Sequence, residues 1–271
     1  MPERNPTVTV ASSRLLEDKV LLVSGGTQGL GAAIVRTAVD AGAHVVFSGR
    51  NTERGARLVD EFTDHETATV RFVATDLTDP AAAADSVAAT VAEFGRIDCL
   101  VNAAGTTSRG TLIDTSPELF DEHVAVNLRA PFFTMQAAVT DMVGRGAPGA
   151  IVNIITMSSY GGQPFLAPYS ATKAGLVGLT KNAAHAHRWD RVRINGINIG
   201  WTETEGEADI QKRFHGADDT WIDEANASVP MGKLGQPDEI ADFVVFLLSD
   251  RSGVVTGSVI DWDQIVMGGF D

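Results

Sequence analysis

The stretch that decides the fold is VLLVSGGTQGLG, residues 20–31. Its first five residues have the pattern of a buried strand, and its glycines at 25, 29 and 31 follow in a GxxxGxG spacing before an alanine-rich, helix-like segment. This order of strand, glycine loop and helix start brings free backbone N–H groups and the positive end of the helix dipole to one point. We therefore predict a pyrophosphate site, the alternative being a tight turn with close helix packing. The candidate contacts are Gly25, Thr27, Gln28, Gly29, Leu30 and Gly31.

Outward from this stretch, short β-branched runs alternate with longer segments whose apolar residues recur at helical spacing. The alternation predicts repeated βα units, and hence an α/β fold with a doubly wound parallel sheet of about seven strands and helices on both faces. The predicted strands are 20–24, 44–48, 69–75, 97–101, 150–155, 191–197 and 259–262. The predicted helices are 29–41, 52–62, 80–94, 118–143, 168–189 and 237–249.

The domain organisation follows from the same pattern. No Pro/Gly/Ser-rich linker or repeat divides residues 19–271, so we predict a single domain there, preceded by a flexible arm at 1–18. Residues 201–235 break the rhythm, since they are acidic and carry several aromatic side chains. They follow the carboxyl end of a strand, so we predict that they form a lid over a ligand crevice.

Composition and charge exclude several classes of protein. The 271 residues include 21 basic and 35 acidic side chains, and the net charge of −14 argues against a nucleic-acid partner. One cysteine, Cys99, excludes an intrachain disulfide and favours a reducing compartment. The longest apolar run is far shorter than the ~20 residues of a membrane span, and the N-terminal stretch lacks the apolar core of a secretory signal. We expect a cytoplasmic protein with no membrane partner.

The end of the second strand, FSGRN at residues 47–51, bears on the choice of dinucleotide. A carboxylate there would accept from a ribose 2′-OH, whereas a basic residue accommodates a 2′-phosphate. The stretch has Arg50 and no carboxylate, so NADP(H) is favoured, NAD(H) is the second possibility, and a surface position for Arg50 at the helix start is the alternative. The candidate contacts are Ser48, Arg50 and Asn51.

Tyr169 and Lys173 lie four residues apart on a predicted helix and therefore on one face. An ammonium about 4 Å from a phenol is worth on the order of 4 kcal/mol at an effective dielectric near 20, enough to lower the phenol pKa by roughly three units. The pair is then a general acid/base that works near neutral pH. A solvated helix pair is the alternative for this motif taken alone.

Together the glycine loop, the tyrosine pair and the motifs between them resemble the short-chain dehydrogenase/reductase family, from about Leu16 to Gly269. The resemblance implies a single Rossmann-type domain and a proton donor or acceptor at Tyr169. Lys173 would bind the nicotinamide ribose and lower the tyrosine pKa, and Asn127 would hold a water leading to that lysine. The implied cofactor contacts also include Asp76 at the adenine, Leu77, and the Asn102, Ala103 and Gly105 of an NAAG sequence. Buried or turn-forming roles are the alternatives for Asn102, Asn127 and Asp76.

Two positions depart from the family pattern. The active-site serine falls on Thr156, thirteen residues before Tyr169, so we expect Thr156 to supply the hydroxyl and Ser158 to be the second choice. The usual N-P-G sequence reads NIG here, at 198–200, which retains a backbone donor. The expected contacts to the nicotinamide carboxamide are Ile199, Thr202 and Thr204.

These residues predict an enzyme that interconverts a secondary alcohol and a ketone by hydride transfer, with Asn127, Thr156, Tyr169 and Lys173 at the active site. The alternative is a catalytically weakened sensor or scaffold that keeps the dinucleotide fold. Aromatic, acidic and amide side chains suggest a polyol or sugar-like substrate. Metal-ligand spacing is missing, so we expect no catalytic metal. The resemblance also implies a homo-oligomer, a tetramer or dimer. Candidate substrate contacts are Ser158, Tyr160, Gln163, Trp201, Glu205, His215 and Trp221.

Overall fold

The structure, a computed structural model, describes residues 14–216, 218 and 220–268. These residues form a seven-stranded parallel sheet in the order β3-β2-β1-β4-β5-β6-β7, which confirms the predicted fold class. The strands are β1 (Val20–Ser24), β2 (His44–Gly49), β3 (Val70–Ala74), β4 (Cys99–Asn102), β5 (Gly149–Thr156), β6 (Val192–Ile199) and β7 (Val259–Trp262).

Helices cover both faces of the sheet. They are α1 (Gly29–Asp40), α2 (Thr52–Asp60), α3 (Ala82–Phe94), α4 (Pro117–Val124), α5 (Ala130–Gly144), α6 (Ala167–His187), α7 (Glu205–His215), α8 (Trp221–Ala227) and α9 (Pro237–Leu248). Side chains of β1 alternate between the two cores: Leu21 and Val23 pack with α1 and α9, and Leu22 packs with α3 and α5. Of the helices that the structure describes, none is long and apolar enough to cross a membrane.

The predicted helix 118–143 is wrong in one respect, since a π-helical turn at Ala125–Arg129 separates α4 from α5. Pro131, at the start of α5, has no N–H to donate to the carbonyl four residues earlier. The backbone instead makes a wider turn in which Ala130 N–H donates to Ala125 O. Asn127, a predicted site residue, lies in the middle of this turn.

The predicted flexible arm is also too long. Leu16 is fully buried, and its N–H donates to Ala41 O at 3.0 Å. Asp18 N–H donates to Gly42 O at 3.1 Å. Residues 14–18 are therefore docked on the loop after α1, because an apolar side chain and two backbone groups find partners there. Residues 1–13 of the predicted arm lie outside the described residues.

Candidate active site

A cleft of about 730 Å³ opens at the carboxyl ends of the central strands. Gln28 and Leu30 of the glycine loop line one part of it, and Thr156 and Tyr169 line another. The sheet reverses its winding between β1 and β4, and ligands of doubly wound sheets bind at such a point. One cleft thus contains residues of the predicted pyrophosphate loop and the tyrosine of the predicted acid/base pair.

Gly25 and Gly31 of the glycine loop have no space for a side chain. A Cβ on Gly25 would lie 2.5 Å from the Ala104 backbone, and one on Gly31 would lie 2.0 Å from Gly25 O. Gly29 has a positive φ of +51°, which other residues rarely adopt. The first turn of α1 carries no acidic residue that would repel an anion. The loop therefore fits the predicted group.

The end of β2 fits a basic rather than an acidic ribose site. Ser48 is buried, its carbonyl accepts from Gly25 N–H at 2.9 Å, and its hydroxyl has no hydrogen-bond partner within the described part of the chain. Arg50 is exposed, and its charge lowers the pKa of Asp76, after the larger effect of the Thr78 hydrogen bonds on that carboxyl. Asn51 caps α2, because its Oδ1 accepts a hydrogen bond from Arg54 N–H at 2.9 Å.

A second arginine at this edge was not predicted. Arg54 donates to the Gln28 side chain of the glycine loop and lies 3.4 Å from Glu205 Oε2. It therefore connects the glycine loop to the first residue of α7. Arg54 follows Arg50 by four residues and lies in the first turn of α2, and this nearness in sequence was the available signal for a second arginine.

The Asn102 side chain has a structural role. Its Nδ2 donates to Asn153 Oδ1 at 2.8 Å, and its Oδ1 accepts from the Thr134 hydroxyl at 2.6 Å. Asn153 in turn donates to Thr180 at 2.9 Å. This buried chain links β4 and β5 to α5 and α6, so the alternative that Asn102 satisfies buried polar groups is the one the structure favours.

Other predicted cofactor contacts have defined positions. Asp76 accepts hydrogen bonds from the backbone and hydroxyl of Thr78, at 3.0 and 2.8 Å, and is exposed. Leu77 is buried, Ala103 donates its N–H to Ser24 O, and Ile199 ends β6. The Thr202 hydroxyl donates to Gly200 O at 3.0 Å. Thr204 caps α7, and its Cβ lies 3.6 Å from where a Cβ on Gly29 would be.

Thr156, Ser158 and Tyr169 line the same part of the cleft. The Thr156 hydroxyl donates to Ser158 Oγ at 3.3 Å and also acts to lower the pKa of Tyr169, against the larger effect of burial. The Ser158 hydroxyl donates to Gln163 Oε1 at 2.5 Å, which turns it towards the outer part of the cleft. Threonine at the end of β5 therefore keeps the hydroxyl that the family pattern places beside the tyrosine.

The predicted effect of Lys173 on Tyr169 is not what the structure gives. Burial raises the pKa of Tyr169 to about 12, and burial lowers the pKa of Lys173 to about 8. Lys173 Nζ lies 5.9 Å from the centre of the Tyr169 ring and donates to Ile154 O at 2.8 Å. The prediction that the pKa of Tyr169 is lowered is therefore wrong for the chain without a cofactor. It assumed an ammonium closer to the phenol, and it left out most of the free-energy cost of burying the charged phenolate.

Asn127 and Lys173 approach Gly105 from two sides. A Cβ on Gly105 would lie 3.5 Å from Asn127 Oδ1 and 3.7 Å from Lys173 Nζ. Asn127 is fully buried; its Oδ1 accepts from Thr106 N–H at 2.9 Å and its Nδ2 donates to Thr106 O at 3.0 Å. The amide thereby holds the loop after β4 against the lysine.

The predicted substrate contacts divide into two groups. Ser158, Gln163 and Trp201 line the cleft. Tyr160, Glu205 and Trp221 do not: Tyr160 donates to Asp261 Oδ1 at 3.0 Å, Glu205 pairs with Arg54, and the Trp221 ring packs 6.3 Å from Trp201. The His215 side chain lies outside the described residues. Arg109 and Glu207 line the cleft and were not predicted, since only the fold brings the loop of Arg109 and the start of α7 beside Tyr169.

The family of the chain follows from comparison with known proteins. A family model described as enoyl-(acyl carrier protein) reductase matches residues 25–264. Relatives more than 30% identical extend over about nine-tenths of the chain. Together with the fold, these matches show that the chain belongs to the short-chain dehydrogenase/reductase family of oxidoreductases.

Three of these similar proteins act on different molecules. The chain is 32% identical to a 3α-hydroxysteroid dehydrogenase of Mediterraneibacter gnavus, covering 92% of this chain and 97% of the relative. It is 35% identical to a gluconate 5-dehydrogenase of Gluconobacter oxydans, covering 88% and 91%. A solved structure of L-sorbose reductase from Gluconobacter frateurii, complexed with NADPH and L-sorbose, is 26% identical with a TM-score of 0.87, covering 95% of this chain and all of that one.

Proposed function

We propose that this protein catalyses reversible hydride transfer between NADP(H) and a secondary alcohol of the polyol or sugar type. The observation that carries the proposal is the position of Tyr169, which lies in the same cleft as the glycine loop and the Thr156 hydroxyl. A phenol and a hydroxyl side by side are the donors that a carbonyl oxygen needs as it becomes an alkoxide.

The nicotinamide, when bound, supplies or accepts the hydride. In the reducing direction Thr156 donates a hydrogen bond to the substrate oxygen and Tyr169 donates the proton. Burial keeps the phenol protonated at neutral pH, which is the form that this direction requires. Lys173, whose Nζ donates to Ile154 O, would return a proton to the phenol, and Asn127 holds the loop beside the lysine.

The preference for NADP(H) rests on the residues after β2. Arg50 and Arg54 lie at this edge, and β2 ends in Ser48 and Gly49 rather than in a carboxylate. A guanidinium matches the geometry of a phosphate through two parallel N–H donors. The related L-sorbose reductase structure contains NADPH, which supports the same preference.

The sugar-like substrate is supported by the relatives and by the lining of the cleft. Two of the similar proteins are named for gluconate and L-sorbose. The cleft itself exposes Ser158, Gln163 and Glu207, whose oxygen and amide groups pair with hydroxyls.

The test compares the two tyrosines of the chain, Tyr160 and Tyr169. We expect Tyr169→Phe to lower turnover by at least about 10³-fold, in the range that general acid catalysis contributes, with NADPH affinity unchanged. The matched control is Tyr160→Phe, which removes the contact with Asp261 outside the cleft and leaves turnover within about twofold. The readout is nicotinamide absorbance with a panel of polyols, sugars and ketones. Full turnover in Tyr169→Phe would exclude the proposed mechanism.

A further inference from the structure

The first observation concerns the backbone around Arg109. Gly110 N–H donates to Phe165 O at 3.0 Å, and Ala167 N–H donates to Gly110 O at 3.0 Å, which forms an isolated parallel bridge. Ala167 begins α6, and Tyr169 follows two residues later. This bridge fixes the position of Arg109 relative to the reacting phenol, although the two residues are 60 positions apart in sequence.

The second observation concerns the Arg109 side chain. Its guanidinium carbon lies 5.3 Å from the centre of the Phe165 ring and 5.8 Å from that of Phe214. Nη1 donates to Thr107 O at 3.2 Å, while Nε is buried without a hydrogen-bond partner. Among the residues that the structure describes, no carboxylate lies within ion-pair distance of this guanidinium. Because Nε is buried, the Nη groups of this cleft-lining arginine are the donors that a ligand can reach.

We propose that Arg109 binds a carboxylate of the substrate, and hence that the enzyme acts on a polyhydroxy carboxylate rather than on a neutral polyol. This rests on the proposed function and narrows its substrate class. The planar guanidinium fork matches a carboxylate through two parallel hydrogen bonds. Phe165 and Phe214 hold the plane of the fork, as aromatic rings do for arginine.

A phosphate is a poorer match for this site. Of the described residues that line the cleft, Arg109 is the one cation, and the carboxylates of Glu207 and Asp263 line it as well. One guanidinium and two carboxylates give the lining a net charge of −1, which disfavours a dianion about twice as strongly as a monoanion.

The carboxylate of Glu207 is placed to accept a hydrogen bond from a hydroxyl of the proposed substrate. Its Oε1 accepts from Trp201 Nε1 at 2.8 Å and from Gln211 Nε2 at 2.7 Å. Within the described part of the chain Oε2 has no such partner, so it can accept from a substrate hydroxyl. Glu207 and Arg109 both line the cleft that contains Tyr169.

The experiment uses matched pairs that differ only in a carboxylate against a hydroxymethyl group: D-gluconate with D-glucitol, D-mannonate with D-mannitol, D-galactonate with galactitol, and L-idonate with L-iditol. D-glucitol 6-phosphate tests the alternative anion. For at least one pair we expect kcat/KM with NADP⁺ to be about 100-fold higher for the acid, the size of a charge-assisted hydrogen-bond pair. Arg109→Gln should remove that ratio, and Arg109→Lys should restore part of it.

The control is Arg213→Gln. The Arg213 guanidinium carbon lies 5.0 Å from the centre of the Phe214 ring, but Arg213 does not line the cleft, so the ratio should stay unchanged. An acid-to-alditol ratio near one, a preference for the phosphate, or an equal loss for both members of a pair in Arg109→Gln would each overturn the carboxylate assignment while leaving the redox function standing.

Calorimetry separates the two proposals if no compound is turned over. Each acid is then titrated into the wild-type and Arg109→Gln proteins with NADPH present, and thermal unfolding confirms that both are folded. Binding of an acid by the wild type that is lost in Arg109→Gln supports the carboxylate site without the proposed reaction. Failure of every acid to bind the wild type overturns it.

Discussion

At the residue scale, Arg50 and Arg54 have different environments on one edge of the cleft. Arg54 is about one-third exposed and contacts the glycine loop and α7. Arg50 is exposed, and its charge contributes to lowering the pKa of Asp76. Arg50 lies two residues before α2 and Arg54 lies in its first turn, so the two arginines are neighbours at the end of β2. Arg54 also joins the glycine loop to α7.

The positions of Arg50 and Arg54 predict that both arginines contribute to the affinity for NADPH. We expect Arg50→Gln and Arg54→Gln each to raise the Kd of NADPH by about 10-fold or more, the value of a charge-assisted hydrogen bond, with the Kd of NADH changed by less than about twofold. The control is Arg57→Gln, an exposed residue whose only ion pair within the described chain is with Glu53 at 4.0 Å. Fluorescence titration measures all affinities. Equal changes for NADPH and NADH would mean that neither arginine reads the 2′-phosphate.

Sequence reasoning at this scale found residues better than it found their environments. The spacing of Tyr169 and Lys173 predicted one helix face, and both lie on α6 four residues apart. The family pattern predicted Thr156, which lines the cleft with Tyr169. The direction of the phenol pKa shift was wrong because desolvation depends on the tertiary packing around the ring. Arg109 was missed for a related reason, since only the bridge between Gly110 and Leu166 brings it near the tyrosine.

At the element scale, glycines in two helices have different amounts of space around the position of a Cβ. Gly31 in α1 packs directly on the carbonyl of Gly25, so α1 begins as close to the strand as its backbone allows. Gly178 in α6 has open space where a Cβ would be. The first glycine serves the anion site, and the second costs α6 helix propensity without a contact that explains it.

The two glycines therefore predict opposite effects of the same substitution. Gly31→Ala should raise the Kd of NADPH by more than about 10-fold and lower the Tm, because its Cβ overlaps Gly25 O and displaces the loop. Gly178→Ala should stabilise the fold by up to about 1 kcal/mol with unchanged NADPH affinity. Thermal denaturation and NADPH titration measure both. A Gly31→Ala protein that binds NADPH normally would show that the loop is not the pyrophosphate site.

The sequence predicted the ends of most helices and strands to within one or two residues, but it missed one local turn and two short helices. The π-helical turn was hidden inside a long helical pattern, although Pro131 was the signal. The helices α7 and α8 within 201–235 were not predicted either. Thr204 and Glu207 had the capping spacing that marks the start of α7, and the structure shows Glu207 N–H donating to the Thr204 hydroxyl at 3.0 Å.

At the scale of the whole molecule, the fold brings distant segments to one cleft. The glycine loop follows β1, the hydroxyl of Thr156 ends β5, and Tyr169 begins α6. Asp263 and Met267 near the end of the chain complete the lining. The cleft buries the phenol strongly enough to keep it neutral, so a positive charge brought into the cleft is what would make it acidic.

The most direct test is an NMR titration of protein labelled with ¹³Cζ-tyrosine, whose two signals are assigned with Tyr160→Phe. Without a dinucleotide, the Tyr169 signal should stay that of a neutral phenol through pH 10, since its pKa is raised to about 12 by burial. Saturating NADP⁺ carries a positive nicotinamide, and it should lower the Tyr169 pKa by about two units or more, while the Tyr160 signal stays unchanged. A Tyr169 signal that titrates identically with and without saturating NADP⁺ would contradict the account, because the phenol and the nicotinamide would then not share the cleft.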